Sequence, residues 1–171
     1  MRSVGAALAL AVAACGSAAE PAPDPFAAPA ACSSGATRDV NESEGPEMMP
    51  GRACNACHED VNASTGEAAP IFRFAGTLYP SGHEPDDCVG SDAEGAEVLV
   101  TDTAGATLSA VANRSGNFML EAEQPFVPPF SVRVRLAGRE RRMLSLQRDG
   151  DCNGCHTRDG AMGAPGRIVL P

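Results

Sequence analysis

The chain has 171 residues, thirteen of them arginine and none lysine, against twenty-two acids, for a formal charge of −9. A surface of that sign repels phosphate backbones and anionic headgroups, so nucleic acid is set aside as a partner; the charge suits a basic protein partner or plain solubility. With six Phe, one Tyr and no Trp the core is modest, and alanine inflates the 43% hydrophobic fraction.

Met1-Arg2-Ser3 and the apolar run from Val4 to Ala14 predict a signal peptide over 1–14, too short to span a membrane as a helix. Val12-Ala13-Ala14-Cys15 resembles the bacterial lipobox, in which Cys15 is acylated and becomes the new N-terminus; an ordinary secretory cut nearby is the alternative. Gly16 stands where an Asp would suggest retention at the inner membrane, which points to a lipid anchor in the outer membrane with the domain in the periplasm. Loss of Arg2 with the signal takes the charge to −10. Residues 15–47 are mostly Ala, Pro, Ser, Gly, Asp and Glu, with Phe26 the one large apolar side chain. Too little surface is available there to offset the entropy of ordering, so a flexible tether is expected.

Two five-residue strings organise the remainder of the chain: Cys54-Asn55-Ala56-Cys57-His58 and, ninety-eight residues on, Cys152-Asn153-Gly154-Cys155-His156. Two thiols three positions apart on one helical turn can bond to the two vinyl groups of one porphyrin, and the adjoining His reaches the iron from the same side. In an exported chain this spacing is the attachment pattern of c-type haem. The expectation is therefore two covalent haems on Cys54, Cys57, Cys152 and Cys155, with His58 and His156 as proximal iron ligands. Pro50 before the first string and Gly66 after it bracket one short helix within a 48–70 segment.

From Ile71 the apolar period becomes two. Alternating runs end at Tyr79, cover 96–101, 107–112 and 117–121, recur most clearly over 130–136, and close with 139–146. Turn residues separate them, which predicts a mainly β fold: a β-sandwich of six or seven short strands over 71–146, with short helical turns at the two strings. The second string falls in a 147–171 tail. Six antiparallel strands would bring the chain in and out at one end and so unite the strings; a seventh between them would part them.

The distal iron ligands are open. His83 is the only histidine left, and Met49 and Met162 stand in loops able to fold over a ring, whereas Met119 and Met143 sit in strand-like runs as core filler. Subtraction leaves Cys32 and Cys88 as a possible disulfide, allowed by an oxidising compartment. The rival use of both CxxC pairs is a four-thiolate zinc site or further disulfides in a non-redox structural or binding lipoprotein. A dihaem peroxidase-like enzyme is the third reading and needs one five-coordinate iron. No catalytic set of Ser, His and Asp is present, so electron exchange with a periplasmic redox protein, through a membrane-anchored carrier rather than an enzyme, is the leading expectation.

Gly95 to Asp102, then Gly105, Ser115-Gly116-Asn117-Phe118, Pro128-Pro129 and the strand to Leu136 resemble the carboxypeptidase regulatory-like family of transthyretin-like sandwiches. That resemblance implies an Ig-like or transthyretin-like β-sandwich and no catalytic residues. The whole order, two CxxCH motifs flanking such a sandwich behind a lipobox, resembles cytochrome c-like bacterial lipoproteins.

Overall fold

The computed structural model describes residues 22–38, 44–121 and 126–171; the signal segment and Cys15 lie outside them. Seven strands form two sheets: β1 (Phe74–Tyr79), β2 (Glu97–Asp102), β3 (Thr107–Val111), β4 (Asn117–Leu120), β5 (Phe130–Leu136), β6 (Arg139–Arg142) and β7 (Ile168–Val169). One sheet runs β4-β1-β7 and the other β3-β2-β5-β6, so the protein is a mainly β sandwich. Two helices, α1 (Cys54–Thr65) and α2 (Cys152–Cys155), carry the two strings. Among the described residues no helix is long and apolar enough to cross a membrane.

Alternation along the strands explains the layering. Val98 and Val100 on β2, with Phe130 and Val134 on β5, turn inward to meet Phe74 and Leu78 on β1 and Phe118 on β4. Each such side chain taken out of water contributes about 1.5–3 kcal/mol, which is the main drive for closing the two sheets. β1 is buried along its whole length, because its second face is covered by the segments around both strings.

Two strand expectations change. β6 stops at Arg142 rather than continuing to 146: Met143 still donates to the Val132 carbonyl, but the ladder then breaks until Gln147 pairs with Phe130. The seventh strand is β7, which comes after the second string instead of separating the two. Six strands lie between the strings, and the strings meet. The edge of β1 shows how: Ala75 bridges Asp151 in parallel, Leu78 and Tyr79 pair in parallel with Ile168 and Val169, and 152–167 loops out between these contacts.

The expectation of a free tether over 15–47 is corrected wherever that segment is described. A short 3₁₀ turn at Pro25–Ala27, capped by the Asp24 carboxylate, sets Phe26 against Gly82 and edge-on to the His83 ring at 6.0 Å. Cys32 is disulfide-bonded to Cys88. Ser33 donates to Glu84, Arg38 donates through its backbone to the Asp87 carbonyl, and Val89 to that of Ala36. A covalent link and a set of polar contacts do here what apolar burial does in a core.

Candidate functional site

α1 begins at Cys54 and ends at Thr65, with Gly66 in the left-handed conformation (φ 75) donating to the Asn62 carbonyl. It buries no residue fully. Its inner face is polar and is latched to the extended chain that leads into β1. Asn55 donates to the Phe72 carbonyl and accepts from the Phe72 amide, both at 2.9 Å. Asn62 does the same with Ala69, at 3.0 and 2.7 Å, and His58 Nδ1 lies 2.5 Å from the Pro70 carbonyl. Positions 55, 58 and 62 share one helical face, so the three side chains form a single zipper along 69–72.

The second string repeats these devices on a single helical turn. Asn153, in the same place within its string as Asn55, is 1% exposed. It accepts from the Thr77 amide at 3.1 Å and donates to Thr77 Oγ1 at 3.0 Å and to the Arg52 carbonyl at 2.9 Å. His156 Nδ1 lies 2.9 Å from the Gly166 carbonyl. In both strings the first thiol points at the carbonyl two residues upstream: Cys54 at Arg52, Cys152 at Gly150.

One carboxylate joins the strings. Asp151, immediately before Cys152, accepts from the Cys54 amide at 3.1 Å and from the Ala56 amide at 3.0 Å. These are donors that the first turn of α1 leaves without partners inside the helix, so a residue 97 positions away serves as its cap. Arg167 makes a second junction. Its buried guanidinium donates to the carbonyls of Gly51 (2.7 Å), Glu84 (2.8 Å) and His156 (3.4 Å), pairs with Asp86, and lies 5.4 Å from the Tyr79 ring centre. Gly51 (φ 88) is required here, since a Cβ would stand 2.8 Å from the Tyr79 hydroxyl and 3.0 Å from the guanidinium. Asp151, Asn153, Asn55 and Arg167 are the site residues that sequence reading misses. The one signal available for them is an Asn in second place in both strings.

Cys54, Cys57 and His58 line a cleft of about 1090 Å³, together with Met48, Met49, Met119 and Phe72. That is the size of a site for a large organic ligand. Met119 is the surprise: it is opposite Ala75 on the β4–β1 pair and faces the cleft, whereas its neighbour Phe118 enters the core, so the core-filler expectation fails for it. Met49 is in the cleft wall with a left-handed backbone (φ 42). Met162, also left-handed (φ 49), is 82% exposed in the loop after the second string and does not line this cleft. His83 Nδ1 lies 2.7 Å from the Arg158 carbonyl and so holds the loop just past His156.

The hydrogen bonds decide the histidine tautomers. A carbonyl only accepts, so Nδ1 of His58 and of His156 must carry a proton, which leaves Nε2 of each ring as the nitrogen available to a metal. Burial lowers the pKa of His156 and favours its neutral form. The thiols are pushed the other way. Burial, reinforced by the Asp151 charge, raises Cys54 to about 11 and Cys152 to about 12, and burial also raises Cys155. Such thiols are protonated at neutral pH and poor nucleophiles, unlike those of a dithiol oxidoreductase. Nor do the four thiols converge: among the described residues no three His, Cys, Asp or Glu side chains are grouped to hold a metal ion. Two thiols on one turn, an adjoining imidazole with a free Nε2 and a large cleft beside them are the donor set that fits a covalently held haem at the first string. The second string supplies the same donors outside that cleft. Comparison of the chain with protein-family models, with curated proteins and with solved structures finds no match in any of the three.

Proposed function

We propose that this is an exported electron-transfer protein with c-type haem on both CxxCH strings, held to the membrane by a lipid on Cys15 and exchanging electrons with a periplasmic redox protein. The observation that carries the reading is the shared state of His58 and His156, each with Nδ1 held by a backbone carbonyl and Nε2 left for iron. Bound haem supplies the one-electron couple. The chain does the rest. Cys54 with Cys57, and Cys152 with Cys155, present two thiols on one side of a helical turn. The carbonyls of Pro70 and Gly166 orient the imidazoles, and the Met48, Met49 and Met119 side chains line the first cleft and offer thioethers on its walls. Arg38 and Arg52 stand at the same cleft, each paired with a carboxylate of the chain, Glu47 and Asp87. The Asp151 and Arg167 junctions make the two strings one packed unit, which favours electron exchange between them.

Expression of the mature chain alongside cytochrome c maturation proteins, followed by the pyridine haemochrome spectrum and intact mass, tests the reading. The expected result is a c-type spectrum with the mass of two haems, one of which is lost in Cys57→Ala and the other in Cys155→Ala. Apo mass, obtained while a control cytochrome matures in the same cells, would sink it. A high-spin spectrum would move the reading toward peroxidase-type chemistry.

A further inference from the structure

Between residues 133 and 148 lie six of the thirteen arginines, Arg133, Arg135, Arg139, Arg141, Arg142 and Arg148, with Glu140 as the one acid. The remainder of the chain carries seven arginines against twenty-one acids, so the charge distribution is strongly one-sided. The cluster sits on β5 and β6, at the outer edge of the four-stranded sheet. Every residue of β6 is exposed. Register divides the side chains between both faces of that edge: Arg142 lies opposite Arg133 and Glu140 opposite Arg135 on the outer face, while Arg141 and Arg139 lie opposite Val134 and Leu136 on the core side. Glu140 is shared by Arg133 and Arg135, and the other four arginines have no ion pair among the described residues. Leu144 and Leu146 come next along the chain, 98% and 60% exposed. The chain then passes through Gln147, paired with Phe130, and Gly150, bonded to the Ala75 amide, into Cys152.

Guarding a sheet edge against strand addition accounts for the charges on the edge strand itself, Arg139, Arg141 and Arg142. It does not account for Arg148, beyond that strand, and two adjoining exposed leucines work against it. Arginines around apolar contacts are what protein interfaces are enriched in or built on, and a one-signed patch steers a partner of opposite sign. We infer that this edge is a docking face for an acidic surface of a partner protein, with Leu144 and Leu146 as apolar contacts next to the arginines in the segment that leads along the chain to the second CxxCH string. An anionic bilayer is the poorer fit: a plane meets one row of these side chains at a time, and the acidic remainder of the chain is repelled by it. Net charge suits a basic partner for the acidic remainder of the chain, whereas the arginine cluster suits this one edge to an acidic one.

The docking itself does not rest on haem, and absorbance of the same sample reports separately on the cofactor. Anisotropy titrations of the full mature chain would use labelled poly-L-glutamate, a labelled glutamate–tyrosine copolymer, and vesicles of phosphatidylcholine with phosphatidylglycerol. The unmodified chain binds both polymers, more weakly as salt rises. R139E/R141E/R142E weakens both by about tenfold or more, and L144S/L146S weakens the copolymer severalfold while leaving poly-L-glutamate unchanged. Should the triple variant fail to fold by circular dichroism, R148E/L144S, which leaves β6 intact, replaces it with the same losses expected. Equal affinity in all variants, an equal loss in R158E outside the cluster, or tighter binding to the vesicles than to the copolymer would each overturn the inference, the last assigning the edge to a membrane.

Discussion

At the scale of single residues, Asp151 shows how far a side chain can act from its own place in the sequence. Its two oxygens hold the amides of Cys54 and Ala56, yet burial raises its pKa, so the ionised form is held at a cost that those amides only partly offset. A carboxylate whose folded pKa is raised is most favourable to folding below the ordinary value of 3.8, and that contribution declines as pH rises through the raised value. Asp151→Asn keeps an acceptor and removes the charge, so the difference in melting temperature between it and the unmodified chain should shift in the variant's favour as pH rises across that window. Asp151→Ala also strands both amides and should be less stable than Asp151→Asn by about 1–2 kcal/mol in urea unfolding at any pH. A flat difference for Asn would show that the carboxyl is not desolvated as described. The thiols give a second test at this scale. With pKa values raised to about 11 and about 12, Cys54 and Cys152 of a haem-free chain should be alkylated by iodoacetamide at about pH 8 far more slowly than a free cysteine, and at the ordinary rate once urea unfolds the domain. Peptide mass spectrometry reads both sites, and prompt labelling in the folded chain would contradict the burial.

At the scale of elements, α1 is a helix without an apolar face, and its stability is borrowed from the Asn55, His58 and Asn62 zipper and from the Asp151 cap. A twelve-residue helix of this kind is marginal alone. Asn62→Ala breaks two hydrogen bonds to Ala69 and should cost about 1–3 kcal/mol, with faster amide exchange confined to the second half of α1 and to 67–70. Unchanged exchange there would mean that the helix is held by something else. The strands are legible in the sequence because alternation and turn glycines mark them locally, and the residue that ends α1 is legible for the same reason, Gly66 adopting the left-handed cap. β7 is not: two residues, Ile168 and Val169, carry no period, and only β1 makes them a strand. The polar zipper is equally hidden, since asparagines in a helix read as indifferent until their partners are known. Met119 escapes a reading by period because strand alternation says which residues share a face, while only the packing of the string segments says that this face opens on a cleft.

At the scale of the whole molecule, the protein is a modest core wearing a second layer. Residues 22–38 and the segments around the two strings wrap the β4-β1-β7 sheet, tied by polar contacts that converge on Glu84, Arg167 and Thr77 rather than by apolar burial. Composition predicts the weakness of that layer correctly in its want of large side chains, and wrongly in its freedom, because pairing is invisible in composition. The Cys32–Cys88 disulfide closes a loop with a sequence separation of 56 that encloses α1 and all of β1. In the chain-entropy view, opening a loop of that length frees the unfolded state by about 4 kcal/mol. Reduction should therefore lower the urea midpoint sharply. It should also release 22–38 first, because the backbone contacts from Arg38 to Asp87 and from Val89 to Ala36 flank the bond and contribute only about 1 kcal/mol each. Cys32→Ser/Cys88→Ser makes the same change without reductant and leaves the four string thiols untouched. The expected signature is early protease cleavage between 22 and 38 at urea concentrations where β2 and β5 still resist exchange. Simultaneous loss of both would mean that the outer layer and the sandwich fold as a single cooperative unit, with the disulfide stabilising the whole rather than the layer it joins.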